Sequence, residues 1–135
     1  MKNITTEKIF CSSDKNLKEN IQQIPEVDPS IFQRIKEVKL SSFNFKDDKD
    51  KVRTYGTIAQ DVQEAGFSEL IYQNDDGYLA VDYTSLLILK TAYLENELIL
   101  ARALAMGILD ESRKKHEELE NKIKELESKI EELKK

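Results

Sequence analysis

The sequence predicts an α+β fold: a small mixed helix and strand body followed by one very long C-terminal helix. Three observations carry this. From Thr84 to Lys135 there is no proline and a single glycine, Gly107. Upstream, short apolar stretches switch between helical and alternating spacing, with Pro25, Pro29, Gly66 and Gly77 as punctuation. The chain is 35% charged and 39% hydrophobic over 135 residues, with four Gly and two Pro, a helix-leaning composition with material for one core. Three zones follow: a polar lead-in over 1–12, a body over 13–83, and the long helix over 84–135.

The body opens with "DKNLKENIQQIP", where Leu17, Ile21 and Ile24 are spaced for one helical face and Pro25 ends the element. A second short helix is expected in "DPSIFQRIKEV", with Pro29 and Ser30 in its first positions and Ile31, Ile35 and Val38 as its stripe. "KLSSFNF" and "VRTYGTIA" read as strands, and "QDVQEAG" as a helical turn or two that stops at Gly66. "ELIYQNDDGYLAVDY" reads as a hairpin around Asn74 to Gly77.

The long helix has two halves. In the first, Leu87, Leu94, Leu98, Ala101, Ala105 and Ile108 form one seam, and Leu86, Leu89, Tyr93, Leu100 and Leu104 form another. A stripe that wide must be covered twice, by the body and by something else. In the second half Leu119, Ile123, Leu126, Ile130 and Leu133 alternate by four and three, a coiled-coil seam in which Ile takes a and Leu takes d. The phase slips by four near Lys115, a stutter. A lone helix of this kind is marginal in water, so the seam predicts self-association. Ile at a with Leu at d leans toward two strands, whereas the broad, small-residue upper seam allows three.

Other classes are excluded or disfavoured. The net charge of -5 opposes a nucleic-acid partner. "LILARALAMGIL" contains Arg102 and is about half the ~20 residues of a membrane span. "MKNITTEKIF" has no apolar core, so no signal peptide is expected. One cysteine, Cys11, forbids an internal disulfide, and with one histidine, His116, no zinc-type cluster can be assembled. "DDKDK" at 47–51 lacks the glycine and terminal glutamate of a calcium loop and reads as a solvated turn. No cofactor is expected.

The stretch "CSSDKNLKENI" supports two readings. Ser12, Ser13 or Asp14 can cap a helix beginning near Lys15, worth ~1 kcal/mol, with Lys18 an ordinary exposed lysine. Alternatively Ser13 is a nucleophile and Lys18 its base. A serine hydroxyl needs a proton acceptor, and a lysine serves once its neutral amine is populated. The N–H groups of a helix N-terminus would then face the developing oxyanion, and a substrate in the same chain needs no pocket.

Taken in order, four motifs resemble a known family. They are "SDKNLKENI" (Ser13, Asp14, Leu17, Lys18, Asn20, Ile21), "FNF" at 43–45, "YGTIAQDV" at 55–62, and "FSELI" leading to "GYLAVDYTSLL" at 77–87. Together, from Ser13 to about Leu104, the chain resembles the self-cleaving intramolecular chaperone domains at the C-termini of phage tail spikes and fibres, the peptidase S74 family, as in endosialidase tailspikes. A related domain occurs in the myelin regulatory factor. The regular coiled coil after His116 is longer than the resemblance requires.

The resemblance implies a homotrimer that templates an intertwined upstream fibre or spike of the same polypeptide, then releases itself by Ser-Lys autoproteolysis. Ser13 would be the nucleophile, Lys18 its activator and Asp14 a support for the turn. Ring size favours a cut between Ser12 and Ser13, by attack on the Ser12 carbonyl through a five-membered ring, and a cut between Ser13 and Asp14 would instead call on a neighbouring subunit's serine or an activated water. It implies action in the host cytoplasm during virion assembly, with no nucleic-acid or membrane partner, and a domain absent from the mature fibre. The 12 residues before Ser13 are expected to be a stub of that client. The competing functions are a trimerisation or attachment module that stays on its fibre, and a coiled-coil adaptor with no fibre. Among the other matched residues, Gly56 is expected to permit close approach, Gln60 to cap or bridge backbone groups, and Asp82 and Tyr83 to anchor the start of the long helix. Phe43, Phe45, Phe67 and Tyr78 are expected in the core.

Overall fold

The helix expected over 14–24 does not form. The computed structural model describes residues 4–24 and 28–135, and the stop assigned to Pro25 lies outside the described residues. In place of the helix there is one 3₁₀ turn, Lys15–Leu17, after which Asn20 takes a left-handed backbone conformation with φ of 52°. Leu17 and Ile21 are 75% and 60% exposed. The spacing is helical, but Leu17 and Ile21 meet no surface, and a helix this short does not hold itself together in water.

The second helix forms where expected, as α1 (Ile31–Glu37). Ile35 and Val38 are buried and Ile31 is half-buried. Its entry is organised by Asp28 rather than by Ser30. The Asp28 carboxylate accepts from the Ser30 backbone N–H at 2.9 Å and its hydroxyl at 2.6 Å, and pairs with Arg34 at 2.6 Å. Arg34 also donates to the Gly66 carbonyl at 2.8 Å and lies 4.7 Å from the Phe67 ring centroid, so one side chain ties α1 to a distant turn. At the other end Lys90 donates to the Val38 carbonyl at 2.6 Å, a cation on the negative end of α1. Burial pushes the Lys90 pKa down.

Two small antiparallel sheets follow. β1 (Ser41–Phe43) pairs with β2 (Thr54–Gly56), Ser42 opposite Tyr55. The loop between them is organised by Asp48, which accepts from the Asp50 and Val52 N–H groups, so "DDKDK" is a turn as expected. α2 (Ala59–Glu64) stops at Gly66, whose φ of 93° lets the chain reverse while Gly66 and Phe67 donate back to Gln63 and Val62. A 3₁₀ turn (Ser68–Leu70) leads into β3 (Ile71–Gln73), which pairs with β4 (Leu79–Val81), Tyr72 opposite Ala80. The Asn74–Gly77 turn closes that hairpin, as read from the sequence.

The last element is α3 (Tyr83–Lys134), 52 residues and about 78 Å long at 1.5 Å per residue. Asp82 caps it, accepting from the Ser85 N–H at 3.1 Å and hydroxyl at 2.7 Å, and these bonds hold the Asp82 pKa below its ordinary value. The core is Ile35, Val38, Val62, Phe67, Leu70 and Leu86, flanked by Phe32, Leu89 and Tyr93. The body therefore covers only the first turns of α3. Leu100 and Leu104, at the far end of the second seam, extend past the body and are exposed. Two aromatic assignments are also corrected. Phe45 is 39% exposed, edge-on to the half-buried Phe43, and Tyr78 is 75% exposed because it follows a hairpin turn that projects from the core.

Candidate functional site

The segment before the body is a turn built by one carboxylate. Asp14 Oδ1 accepts from the Asn16 N–H at 2.8 Å, and the Asp14 carbonyl accepts from the Leu17 N–H at 3.1 Å. The Lys15 carbonyl accepts from the Lys18 N–H at 3.1 Å. Of the three residues able to cap here, Asp14 does so, and Ser12 and Ser13 do not. The turn folds the chain back within five residues, and Lys18 Nζ donates to Ser13 Oγ at 2.7 Å. Ser13, Lys18 and Asp14 thus share one turn, with Ser12 immediately before it.

That geometry allows proton transfer between an amine and a hydroxyl at hydrogen-bond distance. It lacks the oxyanion-facing helix N-terminus. Only a 3₁₀ turn follows Ser13, and the N–H groups of Asn16, Leu17 and Lys18 are already donated inside it. Both members of the pair are exposed. Among the described residues, the hydrogen bonds of the turn are all local. The segment reaches the body at Gln23 and Ile24, which lie in shallow grooves against Phe32, Leu87, Ala92 and Glu95.

The other matched motifs meet elsewhere. The Tyr83 hydroxyl, at the start of α3, accepts from the Thr57 N–H at 3.1 Å and donates to the Thr57 carbonyl at 3.3 Å. It fits because residue 56 is glycine: a Cβ there would lie 2.4 Å from that hydroxyl. So "YGTIAQDV" and "VDY" are two halves of one latch between the β1–β2 sheet and the long helix. Thr57 is the residue the sequence did not single out. It is 6% exposed, and among the described residues its Oγ1 has no partner. Gln60 is exposed and bridges no backbone group among the described residues. No group of His, Cys, Asp and Glu among the described residues is arranged to hold a metal ion, and none of the helices described is long and apolar enough to cross a membrane.

A comparison with curated proteins finds no match. The family model Peptidase_S74, described as chaperone of endosialidase, matches residues 13–72. The match begins on Ser13 and ends inside β3, so the latch residue Tyr83 and all of α3 lie beyond it. Over residues 13–72, then, the chain is similar to the Peptidase_S74 family, the chaperone of endosialidase.

Proposed function

We propose that this chain is an intramolecular chaperone that assembles as a homotrimer, templates the folding of an upstream phage tail fibre or spike in the same polypeptide, and then releases itself by cutting before Ser13. The observation that carries the reading is the 2.7 Å contact between Lys18 Nζ and Ser13 Oγ, at the first residue of the family match.

In the reaction the contact runs with its roles exchanged. A neutral Lys18 amine takes the Ser13 hydroxyl proton while Oγ attacks the Ser12 carbonyl through a five-membered ring. The Ser12–Ser13 C–N bond breaks, the Ser13 nitrogen takes the proton back from Lys18, and the acyl group has moved from nitrogen to oxygen. Water then hydrolyses the ester, leaving a Ser12 carboxylate and a new Ser13 N-terminus. A lysine base works only as the neutral amine, which desolvation favours. In the single chain the pair is exposed, so the reaction waits for assembly to exclude water.

Assembly is supported by α3. Leu87, Leu94 and Leu98 are 61%, 62% and 52% exposed in the single chain, and the 119-to-133 seam is similarly bare. A trimeric module at this end raises the local concentration of three upstream chains and sets their alignment. Cutting afterwards makes the product irreversible. The partners are therefore two further copies and the upstream segment, and the place of action is the host cytoplasm during virion assembly. The alternative is an attachment module that never cuts, which the exposure of both dyad side chains favours.

Intact mass of a precursor bearing a folded upstream segment separates these. The reading predicts loss of everything before Ser13, and no loss in Ser13→Ala. A precursor that keeps its full mass after trimerising would leave only the attachment module.

A further inference from the structure

We propose that Asn20 is a positioning residue for the Ser13–Lys18 pair, its left-handed backbone setting the direction in which the reactive turn leaves the body. The proposal rests on the self-release reading above and adds a requirement at a residue outside the pair.

The reactive turn is internally fixed by Asp14 and by the Lys15 carbonyl. Its position relative to the body is a separate matter. The chain next touches the body at Gln23 and Ile24, against α3 and Phe32. Between Lys18 and Gln23 every residue is exposed, so packing does not choose their path. The backbone of Asn20, at φ of 52°, makes the one reversal in that link. In residues 4–24 no other residue has a positive φ. An L-residue pays sterically for this conformation. Asn pays less than most because its short polar side chain tolerates it, Gly pays nothing, and a β-branched residue pays most.

The second left-handed non-glycine residue, Lys51 with φ of 50°, behaves differently. Its own ammonium closes the β1–β2 loop onto the Lys46 carbonyl at 2.7 Å, and its N–H donates to the Asp48 carbonyl at 3.2 Å. That reversal serves a loop between two paired strands. The one at Asn20 lies between a reactive turn and its anchor.

If Asn20 takes the extended or right-handed conformation, Ser13 and Lys18 can still meet, but the turn projects elsewhere. The scissile Ser12 carbonyl and the surface that must exclude water then lose their alignment. Misplacement at this scale is costly for a reaction that depends on proximity.

The test uses the precursor with its upstream segment, followed by intact mass over time, with sedimentation equilibrium on each variant. Asn20→Gly, which keeps the conformation and removes the side chain, should release within about twofold of the parent. Asn20→Val should trimerise normally and release at least roughly tenfold more slowly. Asn20→Val at the parental rate overturns the proposal. So does Asn20→Gly as slow as Asn20→Val, since the amide and not the backbone would then be at work. Ser13→Ala run alongside keeps the two levels apart: release by Ser13→Ala removes the self-cleavage reading itself, whereas its arrest with indifferent Asn20 variants removes only the role given to Asn20.

Discussion

Lys18 and Asp14 make separable contributions to one turn. In the proposed cut Lys18 both reaches Ser13 and exchanges a proton with it, so Lys18→Arg, which keeps charge and reach, should release nearly as poorly as Lys18→Ala; a guanidinium does not give up its proton. Time-resolved intact mass checks this, and an active Arg variant would reduce the lysine to a structural cation. Asp14→Ala should remove the cap on Asn16, a loss of about 1 kcal/mol confined to the turn, and slow release without altering the circular dichroism of the body. Asp28 and Asp82 are tied differently. Hydrogen bonds from the Ser30 hydroxyl and N–H, and then from Arg34, hold the Asp28 pKa below its ordinary 3.8, and those from Ser85 do the same for Asp82. A depressed folded-state pKa means the stabilisation is complete above about pH 4 and is lost as pH falls through the folded values. Denaturant midpoints measured from pH 5 downward should therefore fall below pH 4, and Asp28→Asn should flatten part of that slope.

At the scale of elements, the latch and the long helix give opposite expectations for a glycine-to-alanine change. At Gly56 the new Cβ would strike the Tyr83 hydroxyl, so Gly56→Ala should cost on the order of 1–3 kcal/mol of body stability. Gly56 and Tyr83 touch, so their effects in a double-mutant cycle with Tyr83→Phe should not add. At Gly107 a Cβ meets nothing in its own chain, and Gly107→Ala should raise the thermal midpoint, since alanine gains about 1 kcal/mol in a helix interior. A fall instead would put a neighbouring helix close over residue 107. These elements also show which part of the fold the sequence made legible. α1, α2, the β3–β4 hairpin and α3 were readable because each carries its own local signal: a stripe that meets the core, a stop at Gly66, a turn at Asn74–Gly77, a cap at Asp82. The helix at 14–24 was misread because periodicity records which side chains share a face, and not whether that face meets a surface; Leu17 and Ile21 meet none. The pairing of Ser13 with Lys18 was legible from spacing and resemblance. The Tyr83–Thr57 latch was not, because it joins residues 26 apart and one half is a backbone amide.

In the whole molecule the division of labour follows the length of α3. The body buries Leu86 and half-buries Leu89 and Tyr93, while the helix beyond them presents apolar seams left exposed among the described residues. Each leucine or isoleucine so covered is worth about 1.5–3 kcal/mol, and five of them occupy the seam from Leu119 to Leu133. Sedimentation equilibrium at micromolar concentration should give three chains. Ile123→Asp with Ile130→Asp should open the distal stalk and weaken the proximal contacts at Leu94, Leu98 and Ile108 less. These points join in one claim, that assembly switches on the cut at Ser13. Its most direct test is the release rate of the precursor, by intact mass, across a dilution series spanning trimer dissociation. The account predicts that release follows the trimer fraction and stops in the dissociated chain. An equal rate of release from monomers would contradict it.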